Sequence, residues 1–129
     1  MSEINYSAVV ISAVAGVVAA FVYYGALSTR LAAAGSAASE ERPPAWVPLF
    51  ELAKHFVLAI TVATIAAAID LTVWPDVVLL ALVLWVGFPA VLLAGSVVHE
   101  KVSWRLAAIH AGDWLIKLLI IAVIVGIWR

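Results

Sequence analysis

Three ionisable residues lie close together in an apolar stretch near the end of the chain. The stretch LAAIHAGDWLIKLLIIAVIVGIW contains His110, Asp113 and Lys117. On a helix, residues three or four positions apart share one face, so these side chains form a single stripe. An aspartate four residues before a lysine can pair with it. The spacing predicts either a site for protons, ions or an amphiphilic solute, or a structural lock between helices.

A second stretch, LFELAKHFVLAITVATIAAAID, carries a matching stripe. Glu51 and His55 are four residues apart, with Lys54 beside them and two threonines further along. Lys54 by itself is typical of an interfacial residue, and Glu51 of a residue near the positive end of a helix. If both stretches enter the membrane from the same side, His55 and His110 lie at similar depths. We therefore predict one candidate polar cluster, formed by Glu51, His55, His110, Asp113, Lys117 and Tyr24.

The segment WVGFPA predicts a helix break at Gly87 and Pro89. Proline has no N–H, so Pro89 leaves the carbonyl of Trp85 without its usual helical partner. Gly87 is expected to allow close approach of a neighbouring helix. Either the resulting kink is satisfied by adjacent packing, or the free carbonyl lines a polar pocket.

The composition places these residues in a membrane protein. Of 129 residues, 67% are hydrophobic and only 12% are charged, whereas soluble domains average about half and about a quarter. The net charge of −1 gives no indication of a nucleic-acid partner. Without cysteine, neither disulfides nor a thiolate metal site can form.

Four segments have the roughly 20 apolar residues that cross a bilayer. They are residues 4 to 27, 49 to 70, 77 to 98 and 105 to 128. Each must be a helix, because a lone strand leaves its backbone groups unpaired in lipid. The first lacks a preceding Lys or Arg and is long, which disfavours a cleaved signal peptide. Measured from Arg105 at about 1.5 Å per residue, Asp113 lies about 12 Å deep.

The connections predict an all-α, integral membrane four-helix bundle in a single transmembrane domain, residues 1 to 129. Residues 28 to 48 form one long loop, loop one, whose EERPP piece is typical of a solvated linker. Loop two, between the second and third segments, and loop three, between the third and fourth, are short, which predicts antiparallel neighbouring helices. Most of the tryptophans are expected in aromatic belts at the two interfaces.

Lysine and arginine near the segment ends predict the orientation in the cell membrane. One side, with loops one and three, carries five of them, and the other side, with loop two and both termini, carries only Arg129. Positive residues favour the cytoplasmic side, so both termini are expected outside. The five residues are Arg30, Arg42, Lys54, Lys101 and Arg105.

The last third of the chain resembles the domain-of-unknown-function 1761 family, whose members are small four-helix membrane proteins. Residues 80 to 128 carry the resemblance: an L-W-x-G-F element, an aromatic residue in the following loop, and the middle of an N-A-G-Y-H-like motif. The matching residues are Leu84, Trp85, Gly87, Phe88, Trp104, Ala111 and Gly112. Where the family shows Asn, Tyr and His, this chain has His110, Asp113 and Trp114. The resemblance implies the fold and transfers no activity; any site there has altered chemistry, with Lys117 as a counter-ion.

Two function classes follow, and the sequence favours the first. In the first, the protein is a non-enzymatic accessory or scaffold subunit, a homo-oligomer or the partner of another membrane protein. Its small-residue face of Ser12, Gly16 and Ala20 suits helix contact. In the second, a small transporter or channel uses the polar cluster, although the opposite half offers no polar path.

An enzyme is the third possibility: His55, His110, Asp113 and Glu51 could hold a metal, but no ligand-spacing signature is present. The sequence leaves the presence of a cofactor open.

Overall fold

The computed structural model describes residues 3–35 and 44–128, and within these ranges the chain is helical, with no strand. Most of the EERPP piece lies outside the described residues, as do Arg42 and Arg129. The helices are α1 Tyr6–Ala26, α2 Ser28–Ala33, α3 Val47–Ala68, α4 Trp74–Trp85, α5 Val91–His99 and α6 Trp104–Ile127, and a π-helical segment, Val86–Ala90, joins α4 to α5.

Four helical stretches in the described ranges are long and apolar enough to cross a membrane. Two of them are α1 and α3, with 21 and 22 residues, and another is α6, with 24. The remaining one is a continuous stretch of 26 residues, Trp74–His99, which comprises α4, the π-helical segment and α5. The four predicted apolar segments are thus helical, and their bounds differ from the predicted ones by a few residues.

Local signals explain where these helices begin. The side chain of Asn5 accepts a hydrogen bond from a backbone N–H in the first turn of α1, and Ser103 does the same for α6. Such side-chain caps satisfy N–H groups that the helix itself leaves unpaired. α4 begins with Pro75 and Asp76 in its first turn. Proline is tolerated there because its missing N–H has no helical partner, and an acidic residue suits the positive end of the helix dipole.

α6 is the central helix of the arrangement. It packs against α1, α3, α4 and α5, and α1 also packs against α3. The α4–α5 stretch makes few contacts with α3, so the two lie on α6 without closing against each other. The buried core is built from alanines and β-branched residues, including Val9, Val62, Val77 and Ile121. Small side chains allow close approach: a Cβ on Gly126 would lie 2.5 Å from a methyl group of Val77.

The surface is apolar, whereas the interior contains charge. Many large hydrophobic side chains are exposed on the long helices, including Leu49 and Leu92, each 70% exposed. In contrast, Asp113 and Lys117 are only 4% and 5% exposed. In water-soluble domains, by contrast, most charged residues lie on the surface and large apolar residues are most often buried.

Two details of the connections differ from the sequence-based expectations. The long loop one starts with the short helix α2, which is favoured by its Leu and Ala residues. The predicted break at Gly87 and Pro89 takes the form of the π-helical segment, and the helix resumes at Val91. Pro89 is buried, but a Cβ on Gly87 would meet no atom within 4 Å. The expectation that Gly87 allows close helix approach is therefore wrong.

Candidate functional site

A buried ion pair lies at the centre of the candidate site. Nζ of Lys117 is 2.8 Å from a carboxylate oxygen of Asp113, one helical turn away on α6. The ammonium also lies 4.3 Å from the ring centroid of Trp114, a cation–π distance. The i, i+4 spacing positions the two charges, and the packing of α1 and α3 on α6 removes them from the surface.

A second polar contact joins α1 to α6 beside this pair. The hydroxyl of Tyr24 is 2.7 Å from Nδ1 of His110, and their rings are 5.7 Å apart. The same hydroxyl also faces the carboxylate of Asp113. A hydroxyl both donates and accepts hydrogen bonds, so Tyr24 can bridge the imidazole and the carboxylate.

His55 of α3 is the most deeply buried imidazole of the site, with 1% exposure. Its Nδ1 is 2.7 Å from the backbone carbonyl oxygen of Glu51. Because a carbonyl only accepts, Nδ1 is the donor, and the lone pair of a neutral ring is then on Nε2. That Nε2 atom has no hydrogen-bond partner among the described residues. A buried acceptor without a partner costs free energy. Because Nε2 has no such partner, it can accept a proton or a hydrogen bond from a donor group.

The entrance to the site carries a second, more exposed ion pair. Nζ of Lys54 is 2.9 Å from a carboxylate oxygen of Glu51, and their side chains are 46% and 27% exposed. The other Glu51 oxygen is 3.9 Å from Nδ1 of His55. Glu51 therefore connects the exposed charges to the buried imidazole.

These side chains surround one cleft of about 740 Å³ between α1, α2, α3 and α6, with Leu93 of α5 at its edge. The structure brings five of the six predicted cluster residues to its wall, together with Lys54. His55 lines an adjoining cleft, which it shares with Lys54 and Lys117. The polar residues that line the larger cleft are Tyr24, Ser28, Glu51, Lys54, His110, Asp113 and Lys117.

Three residues outside the predicted cluster also shape the site. Tyr23 donates to the carbonyl oxygen of Ile109 at 2.7 Å, and Trp85 donates through Nε1 to that of Ala111 at 2.8 Å. Trp114 lies beside the ammonium of Lys117. The Tyr23 and Trp85 contacts could not be predicted from sequence, because their partners are backbone atoms of a distant helix. For Trp114, the signal in the sequence was its position next to Asp113.

Other sequence-selected residues are not members of the predicted cluster, although Thr61 lines the cleft of His55 and Gly16 lies against its ring. The hydroxyls of Thr61 and Thr64 bond to carbonyl oxygens one turn earlier on α3, both at 2.7 Å. Pro89 lines a neighbouring apolar cleft. The small-residue face of Ser12, Gly16 and Ala20 is buried inside the chain.

Within residues 3–35 and 44–128, no group of three or more His, Cys, Asp or Glu side chains is arranged to hold a metal ion. What the site combines is a buried acid–base pair, two imidazoles and a bridging phenol hydroxyl.

These features define a class: a helical protein with four helices able to span a membrane and a charged cleft between them. The chain belongs to the family described as Protein of unknown function (DUF1761), whose pattern matches residues 7–126. The resemblance seen in the last third of the sequence is thus confirmed and extends over nearly the whole chain. No curated protein and no solved structure matches it.

Proposed function

We propose that the protein is a small multi-pass membrane protein of the transporter type, in which the charged cleft binds a small ionic or amphiphilic solute. In this proposal the chain is one transmembrane domain, a four-helix bundle with antiparallel neighbours. The observation that carries it is the Asp113–Lys117 ion pair, which is buried and yet lines a cleft of about 740 Å³.

The distribution of apolar residues supports the membrane location. The long helices expose large hydrophobic side chains, which suit contact with lipid and not with water. Four exposed tryptophans lie at the ends of α3, α4 and α6, where amphipathic rings favour the membrane interface. These residues are Trp46, Trp74, Trp104 and Trp128.

The free-energy cost of burying the ion pair supports a role in solute binding. Removing two charges from water costs several kcal/mol per ion, and well-packed apolar residues of similar volume often stabilise a protein as well or better. Intramembrane charges therefore mark solute or proton pathways more often than stability devices. The unpartnered Nε2 of His55 is consistent with such a role, because most buried polar atoms have a hydrogen-bond partner.

The accessory or scaffold class remains the competing prediction. It relied on the polar stripe and on the small-residue face as surfaces for partner helices. Ser12, Gly16 and Ala20 are buried within the chain, however, and Asp113 and Lys117 face the cleft. Neither surface is left on the exterior, which favours the solute-binding class.

Cysteine labelling tests the proposal directly, because the natural chain has no cysteine. Leu93→Cys places a thiol at the cleft, whereas Val91→Cys, on the same helix at nearly the same depth, is 62% exposed outside it. We expect a charged, membrane-impermeant thiol reagent to modify position 93 in phosphatidylglycerol vesicles, from the side of loops one and three, and not position 91.

Three outcomes would overturn the proposal. The first is equal protection of both thiols, which means that the cleft is closed to charged solutes. The second is equal labelling, which means that the exterior and the cleft do not differ. The third is a stoichiometric protein partner in mild detergent that protects position 93, which would favour the scaffold class.

A further inference from the structure

A second, almost purely apolar cleft adjoins the charged one. It measures about 540 Å³ and lies between α3 on one side and α4, the π-helical segment and α5 on the other, with α6 as its floor. The hydroxyl of Thr61 on its wall already bonds to Val57 within α3. The walls include Leu58, Thr61, Ile65, Phe88, Pro89 and Leu92.

The two clefts adjoin each other, and together they are called the groove. Leu93 and Trp114 line both of them. A third cleft of about 450 Å³ shares Lys54 and Lys117 with the charged end and Leu58 with the apolar end. The groove exists because α3 and the α4–α5 stretch pack on α6 with few contacts between each other.

We propose that this groove binds one zwitterionic phospholipid, with its head group at the charged end and an acyl chain along the apolar end. The inference rests on the proposed function and specifies the solute. From Lys54 to Ile65, α3 rises about 16 Å at 1.5 Å per residue, enough for most of an acyl chain. A cleft with apolar walls and a few convergent polar groups at one end is the usual form of a site for such molecules.

The charges at the polar end select the head group. Two ammonium groups, Lys54 and Lys117, and two carboxylates, Glu51 and Asp113, line it together, so these four side chains carry no net charge. A head group with one phosphate and one ammonium can face opposite charges on both sides, and complementary charges of this kind give specificity. An anionic head group leaves the carboxylates uncompensated, and this disfavours it.

Photolabelling tests the inference with a phosphatidylcholine that carries a diazirine near the end of one acyl chain. The protein is reconstituted in phosphatidylglycerol bilayers that contain a trace of this probe, and the modified residues are mapped by mass spectrometry. We expect labelling to concentrate on groove residues from Leu58 to Ile65 and from Phe88 to Leu93. Excess phosphatidylcholine should compete for this labelling, and additional phosphatidylglycerol should not.

Filling the groove provides the matched control. Thr61→Trp adds bulk inside it, whereas Thr64→Trp adds the same bulk to the same helix at an exposed position outside it. Groove labelling should be lost in the first variant and kept in the second. If Thr61→Trp does not fold, Leu92→Trp fills the opposite wall, and Val91→Trp is its control.

Labelling spread evenly over all lipid-facing helices, or unchanged by Thr61→Trp and Leu92→Trp, would show an ordinary surrounding lipid and overturn the inference. Equal competition by both lipids would overturn the head-group assignment. If groove labelling fails while Leu93→Cys still reacts selectively, the charged cleft is a site for a solute without an acyl chain. If Leu93→Cys is also protected, the proposed function fails together with the inference.

Discussion

Gly16 of α1 lies directly against the imidazole of His55 on α3. A Cβ at position 16 would be 2.7 Å from Cδ2 and 3.6 Å from Nε2 of this ring. The missing side chain lets α1 approach α3 closely, so that α1 covers one side of the ring. The burial of His55 thus depends on a glycine on another helix.

We predict that Gly16→Ala destabilises the protein, although alanine is the better helix former by about 1 kcal/mol. A contact below 3 Å forces His55 or α1 to move, and inserting a methylene into a packed interior typically costs about 1 to 3 kcal/mol. A lower midpoint of thermal unfolding in detergent is the expected result.

Gly25→Ala is the matched control, because a Cβ at that position of α1 meets no atom within 4 Å. It should leave the midpoint unchanged or raise it slightly. The double variant Gly16→Ala with His55→Ala should lose less stability than the two single variants added together. Additive losses would show that the two residues do not share the contact.

A second glycine has a comparable role beside the site. A Cβ on Gly112 would clash with the hydroxyl of Tyr23, which donates to the carbonyl oxygen of Ile109. We predict that Gly112→Ala displaces Tyr23 and breaks this hydrogen bond. Because Tyr23→Phe only removes the hydroxyl, it should cost about 0.5 to 1.5 kcal/mol, and less than Gly112→Ala.

Combining the two changes checks this explanation. Gly112→Ala in a Tyr23→Phe background should be milder than in the natural chain, since the hydroxyl that meets the new methyl group is gone. Thermal unfolding of the four proteins in one detergent gives the comparison. An equal penalty in both backgrounds would place the obstacle elsewhere on α1.

Local spacing made part of this molecule predictable. The four apolar helices follow from hydropathy, which depends only on consecutive residues. The Asp113–Lys117 pair and the Glu51–His55 contact follow from i, i+4 geometry on one helix. In each case the interacting groups are near neighbours in the sequence, so no knowledge of helix packing is needed.

Contacts between helices were not predictable in the same way. Tyr24 and His110 are 86 positions apart, and their hydrogen bond depends on the rotation and depth of α1 relative to α6. The groove likewise depends on which pairs of helices remain apart. Gly87 illustrates the converse: a glycine in a helix suggests a close neighbour, but at this position the space is open.

The third prediction concerns orientation in the membrane. The charge bias predicts that loops one and three lie on the cytoplasmic side and both termini outside. A periplasmic or extracellular reporter fused to the C-terminus should therefore be active, and the same reporter inserted into loop one should be silent. Reducing the bias from five to three positive residues with Arg30→Glu and Lys101→Glu should weaken this preference. A cytoplasmic reporter that is active at the C-terminus and silent in loop one contradicts the assignment.

The last prediction is that Asp113 and Lys117 act as a coupled pair, so that losing one is worse than losing both. A single Asp113→Leu or Lys117→Leu leaves an uncompensated charge in a site that is almost fully buried, and breaking a buried pair in this way costs about 3 to 5 kcal/mol. The double variant places apolar side chains among apolar neighbours, so membrane yield and thermal stability should largely recover. Damage equal to the sum of the single variants would mean that the two residues are independent. Leucines can replace a structural lock but not a binding site. Recovered stability with lost solute binding would therefore identify the pair as part of a binding site, and recovery of both would identify it as a structural lock.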